Sequence, residues 1–182
     1  VEIFVNFSAK ADMKITWNFN GDTYLIRAIR LQRYEVAKYL IEEKLNDPKV
    51  KSRFNVSPFH VACEEGNLTF IDYITKLEGI EVNSKADIHE QTQNWNAHFF
   101  AVNGLGQLDV IRYLTVNLSI DLKLKDSANG NCSLLNFAVE KNKTAVALFL
   151  IREKAENFAE NICTNTNGAK RTSLMNAKKV ET

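Results

Sequence analysis

The stretch Ser57-Pro58-Phe59-His60-Val61-Ala62-Cys63-Glu64-Glu65-Gly66-Asn67, followed by Phe70-Ile71-Asp72-Tyr73-Ile74 and Gly79-Ile80-Glu81-Val82-Asn83, decides the fold. Ser57 is a strong N-cap, because its hydroxyl accepts a first-turn N–H that has no intrahelical partner. Pro58 at the first helical position gives up only an N–H that would be orphaned anyway. Gly66 tolerates a left-handed backbone and so permits a reversal into a second helix, roughly 68–77. In that helix Phe70, Ile71 and Ile74 form one apolar stripe, while small Ala62 and Cys63 in the first helix allow a neighbour to approach closely. Neither helix is long enough to bury its stripe alone, so the unit requires copies of itself.

Copies are present. Ala28, Ala62, Ala101, Ala138 and Ala177 recur at separations of 34, 39, 37 and 39. Five residues before each stands a capping side chain: Thr23, Ser57, Asn96, Ser133 or Thr172. Eleven or twelve residues after the first four Ala stands Tyr39, Tyr73, Tyr113 or Phe149, each followed by an aliphatic residue. The register predicts helix pairs at about 24–32 with 34–43, 58–66 with 68–77, 97–105 with 108–116, and 134–142 with 144–152. A regular aromatic column in the second helices reads as packing rather than as a ligand box.

The second unit resembles the ankyrin repeat, whose pattern is Thr-Pro-Leu-His-x-Ala-Ala-x-x-Gly, two apolar pairs and Gly-Ala-Asp-Val-Asn. The openings at Thr23, Asn96, Ser133 and Thr172 look like the same motif, and the resemblance covers roughly residues 20–182. Only the second unit keeps both Pro and His. The resemblance implies an all-α solenoid of about four helix pairs plus a partial fifth, with repeats near 21–54, 55–93, 94–130, 131–169 and 170–182. Most units exceed the usual ~33 residues. One extra residue falls around Asn103-Gly104-Leu105-Gly106, and the rest lies in the connections 42–56, 76–95, 116–132 and 152–171, which in this family project as finger loops. For His60 the resemblance implies hydrogen bonds that brace a neighbouring loop.

Residues 1–20 differ. Val1, Ile3, Val5 and Phe7, then Met13, Ile15, Trp17 and Phe19, alternate with polar residues, which suggests a small antiparallel hairpin. It either caps the stack or ends a preceding β domain. The chain opens at Val1 and stops inside the fifth unit, so a longer parent chain is expected.

Composition excludes several functions. With 182 residues, 45% apolar and 25% charged, the chain makes one ordinary core. A formal net charge of +1 argues against a nucleic-acid surface, and no apolar run reaches the ~18 residues of a membrane span. Three Cys without C-x-x-C pairing (Cys63, Cys132 and Cys163) read as reduced thiols of an intracellular, cytoplasmic protein. His60 and Cys63 lie at i and i+3 but lack further ligands for zinc, and no nucleophilic triad or phosphate loop is present. The expectation is therefore no catalytic residue, no metal and no cofactor. Six N-x-Ser/Thr matches (Asn6, Asn55, Asn67, Asn117, Asn131 and Asn142) occur among twenty Asn and read as incidental.

What remains is recognition of another protein or peptide. Solenoid curvature makes an extended concave surface. The family's contact positions, carried over by register, are Asp22, Val56, Trp95, Cys132 and Arg171 before the caps, with Arg30/Leu31, Glu64/Glu65, Asn103/Gly104 and Glu140/Lys141 on the first helices. Arg53 and Phe54 share a finger with Val56. Because Trp and Arg dominate interface hot spots, Trp95, Phe54, Arg53 and Arg30 lead the candidates, joined by Asp22, Glu64 and Glu65. For Trp95 and Phe54 the competing role is packing against the next finger. The expected function is a scaffold or adaptor; the alternatives are a regulatory or targeting segment of a larger enzyme, channel or bacterial effector, or a structural subunit of a large assembly.

Overall fold

A computed structural model describes residues 21–83, 86–87, 94–105, 107–120, 122, 125–126, 132–153, 162–164 and 170–172; in the short strands it defines chiefly the backbone. The N-terminal hairpin expected over residues 1–20 and most of the partial fifth unit lie outside these residues.

Eight helices alternate in two sets among the described residues. The first helices of the pairs are α1 (Tyr24–Arg30), α3 (Pro58–Glu65), α5 (Ala97–Asn103) and α7 (Leu134–Glu140). The second helices are α2 (Tyr34–Glu42), α4 (Leu68–Thr75), α6 (Leu108–Val116) and α8 (Thr144–Arg152). Each first helix packs on the next in the order α1, α3, α5, α7, and α4, α6 and α8 pack successively behind them. The result is a stack of helix pairs.

Local chemistry fixes each start. Thr23, Ser57, Asn96 and Ser133 are the N-caps of the four first helices, and each side chain accepts a first-turn N–H. His60 completes a capping box: its Nδ1 faces the Ser57 amide at 3.2 Å while its own N–H donates to Ser57 Oγ at 3.3 Å. The His60 ring also stacks on Phe100 of the next pair, 4.7 Å between centroids. His60 therefore braces its own helix start and the seam to the following unit. The connection after α2 returns to brace α1, where Asn46 Oδ1 accepts the Leu25 N–H at 2.8 Å.

Three of the four turns inside the pairs pass through a left-handed residue, and the third pair turns instead at Gly104 with φ −76°. Gln32, Gly66 and Asn142 all have left-handed φ, at 55°, 78° and 56°. In the first and fourth pairs the residue after the turn donates to a register alanine: Arg33 N–H to Ala28 O at 2.9 Å, and Lys143 N–H to Ala138 O at 2.8 Å. Those alanines with Ala62 and Ala101 are buried at equivalent helix positions, where a larger side chain would hold the next first helix away.

Among the described residues, three two-stranded antiparallel pairs lie in the last three long connections: β1 (Ala86–Asp87) with β2 (Asn94–Trp95), β3 (Lys125–Asp126) with β4 (Cys132–Ser133), and β5 (Ile162–Thr164) with β6 (Lys170–Thr172). Successive hairpins touch, β2 on β3 and β4 on β5. The all-α expectation thus holds for the helical body, and short strands are added at the connections.

Cys132 corrects the thiol reading. It is disulfide-bonded, whereas Cys63 is free and buried, with its thiol pKa pushed up by burial. Sequence spacing missed the bond because the hairpin that carries Cys132 meets the next hairpin only in the stack. The disulfide removes the thiol argument for an intracellular location.

Candidate recognition surface

The first-helix row carries a polar ladder that crosses three units. Asp22 Oδ2 lies 3.6 Å from Arg30 Nε, and Arg30 Nη1 donates to Glu64 Oε2 at 3.0 Å. The other oxygen of Glu64 accepts from Asn103 Nδ2 at 3.1 Å. One carboxylate thus ties α1 to α3 and α3 to α5. Its neighbour Glu65 accepts from Gln32 Nε2 at 3.3 Å. The main chains also close up here, since Leu105 N–H donates to Glu64 O at 3.3 Å. Gly104 permits that approach, because a Cβ at this position would lie 1.9 Å from the same carbonyl oxygen. From the fourth unit, Lys143 Nζ donates to the carbonyls of Gly104 and Leu105 at 3.0 and 3.2 Å, filling acceptors left open at the α5 C-terminus.

Asp22, Arg30, Glu64 and Glu65 are accordingly gathered on one edge of the stack, where they fasten units together. Asp22 is 3% exposed, while the Arg30 and Glu64 side chains keep about a third and a fifth of their surface. Arg53 is exposed and Phe54 half-buried, with the guanidinium carbon 5.9 Å from the Phe54 ring centroid. The Arg53 main chain lies against Gly21, so the connection before α3 meets the segment before α1 beside Asp22. Glu140 and Lys141 are exposed at the end of α7, with Lys141 Nζ 5.3 Å from the Phe137 ring. Leu31 and Leu105, 51% and 53% exposed, add apolar surface at the ends of α1 and α5.

Trp95 sits elsewhere in kind. It is 7% exposed and enclosed by rings: Phe99 stacked at 5.9 Å, Phe100 edge-on at 5.8 Å and Phe137 edge-on at 5.0 Å. Of the two roles weighed for it, this geometry serves packing. The cluster joins the third unit to α7.

The outer aromatic column also has polar work. Tyr73 OH donates to Glu42 at 3.4 Å, and Tyr113 OH to Asp72 at 3.0 Å, each reaching back one unit. Phe149 has no hydroxyl, and Arg112 of the preceding unit lies over its ring at 5.6 Å. Hydrogen bonds from Lys76 and Tyr113 hold the exposed Asp72 carboxyl below its ordinary pKa. The hydrogen bond from Lys51 does the same for Glu81. Sequence register placed these rings; it did not reveal their partners, nor the roles of Gln32 and Lys143, because each lies a whole unit away.

Among the described residues no group of three or more His, Cys, Asp or Glu side chains could hold a metal ion, and no helix is long and apolar enough to cross a membrane.

No family model matches the chain. A curated relative does. Over 104 residues the chain is 29% identical to alpha-latroinsectotoxin-Lt1a of Latrodectus tredecimguttatus. The match takes in 52% of this chain and 7% of the toxin, so the chain corresponds to a small fraction of that relative's length.

Proposed function

We propose that the chain is a divergent ankyrin-repeat array that recognises another protein or peptide along its row of first helices, without catalysis of its own. One observation carries the reading. The four first helices pack in succession, the first three are fastened by the Asp22–Arg30–Glu64–Asn103 ladder, and Arg53, Glu140 and Lys141 are exposed beside this row, with Phe54 half-buried next to Arg53. A surface already held by inter-unit bonds loses little conformational entropy on association, so more of its contact energy is retained as affinity. Arg53 with Phe54 supplies a cation and a ring on one connection, the residue types that concentrate binding energy.

The test is affinity capture with the chain against an Arg53→Ala/Phe54→Ala double variant, followed by calorimetric titration of the proteins recovered. The double variant should bind at least tenfold more weakly, about 1.4 kcal/mol, with an unchanged melting temperature. Equal affinity of the two forms for every recovered protein refutes this surface. The relative's name favours a second reading. In a much longer toxin-like chain, an array of this kind would be one segment that docks other parts of the molecule or its target. Sequencing the parent transcript separates the readings: further repeats alone support the free-standing scaffold, and a distinct effector region supports the second.

A further inference from the structure

Four of the six N-x-Ser/Thr asparagines fall on described residues, and the structure sorts them into two classes. Asn67 is half-buried and engaged: it is the N-cap of α4, its Oδ1 accepting the Phe70 N–H at 2.9 Å. Asn55 is exposed, but its sequon hydroxyl is not: Ser57 is buried and accepts the His60 N–H as the N-cap of α3, and Pro58 follows the sequon directly. Asn117 and Asn142 are exposed. Asn117 is the C-cap of α6, with only its backbone N–H committed, to Tyr113 O. Asn142 occupies the left-handed turn between α7 and α8, and its backbone N–H donates to Val139 O at 3.0 Å. Their sequon hydroxyls, Ser119 and Thr144, belong to exposed residues as well. The residues inside and after these sequons are Leu118, Ile120, Lys143 and Ala145, none of which carries the φ restraint of proline.

The disulfide at Cys132 supplies the second, independent observation, since such bonds persist in oxidising compartments, where asparagine-linked glycans are also added. We infer that Asn117 and Asn142 are sites of N-linked glycosylation in a protein that folds along a secretory route. In the step, Nδ2 attacks C1 of a lipid-pyrophosphate-linked oligosaccharide. The Nδ2–C1 bond forms, the C1–O bond breaks, the lipid pyrophosphate leaves, and the Nδ2 proton passes to a base of the transferase. Asn117 caps a second helix, off the proposed recognition row, whereas Asn142 directly follows Lys141, so a glycan there borders the α7 end of that row.

Two measurements test this. The chain bearing a cleavable secretion leader is translated with microsomes, released by N-glycosidase in ¹⁸O-water and mapped by peptide mass spectrometry. Labelled aspartate should appear at 117 and 142, Asn117→Gln and Asn142→Gln should each remove one glycan, and Asn55→Gln and Asn67→Gln should change nothing. Unlabelled 117 and 142 in protease-protected chains overturn the assignment, as does label confined to 55 or 67. The second measurement uses the native chain, recovered with thiols alkylated before lysis. It should carry the same two glycans with Cys132 protected, and an alkylated Cys132 beside bare Asn117 and Asn142 overturns the secretory route.

Discussion

Gly104→Ala is the sharpest probe of the stack. The added Cβ would stand 1.9 Å from Glu64 O and 2.7 Å from the Glu64 carbonyl carbon. To reach ordinary contact the α3–α5 seam must open by about 1.5 Å, and backbone on both sides has no rotamer with which to yield. Overpacking of this kind costs about 1–3 kcal/mol. The Leu105 N–H to Glu64 O bond is stretched as well, at about 0.5–1.5 kcal/mol. A combined loss of about 2–4 kcal/mol follows if the two effects add. At about 2–4 °C per kcal/mol for a chain of this size, thermal melting shows it readily. Because arrays can unravel unit by unit, hydrogen exchange resolved to α3 and α5 should accompany denaturant unfolding, and protection should fall first at that seam. Gly66→Ala is the contrasting control. Its Cβ would meet only the flexible Gln107 carboxamide at 3.1–3.3 Å, but φ is 78°, so it should cost about 1–2 kcal/mol with no rescue by Gln107→Ala. A Gly104→Ala variant within about 0.5 kcal/mol of the parent, the ordinary range for a surface change, would refute the close main-chain approach of the first helices.

Trp95→Ala should cost about 3–5 kcal/mol in denaturant unfolding, because it leaves a cavity among Phe99, Phe100 and Phe137; a loss below about 1 kcal/mol would return Trp95 to the surface candidates. Ser57→Ala should destabilise by about 0.5–2 kcal/mol in denaturant unfolding, because the His60 N–H loses its capping acceptor. Acid should loosen the array. Asp72 and Glu81 have folded-state pKa values below their unfolded ones, so their contribution is complete above about pH 4–5 and is lost as pH falls through the folded values. Tyr113→Phe should raise the Asp72 carboxyl toward its ordinary range in an NMR titration and reduce the stability lost between pH 5 and acid, both about the pH window in which free carboxylates protonate. An unchanged Asp72 titration would remove the Tyr113 bond.

The helical body was legible because its signals are local. Thr23, Ser57, Asn96 and Ser133 cap the helices that their spacing indicated, and the turns at Gln32, Gly66 and Asn142 end them within two residues of the expected limits. The candidate surface was only half legible. Register placed Asp22, Arg30, Glu64 and Glu65 on one edge, but residues of opposite charge some 34 positions apart say nothing about whether they face a partner or each other; the structure pairs Arg30 with Glu64 at 3.0 Å.

The sequence by itself determined the unit, its period and its helix ends, because N-caps, left-handed turns and apolar stripes act within a few residues of chain. Only the tertiary structure decided that Trp95 fills a ring cluster, that Gly104 admits the Glu64 carbonyl, and that Cys132 is oxidised. Those outcomes depend on how far apart successive units come to rest, a distance set by packing between units.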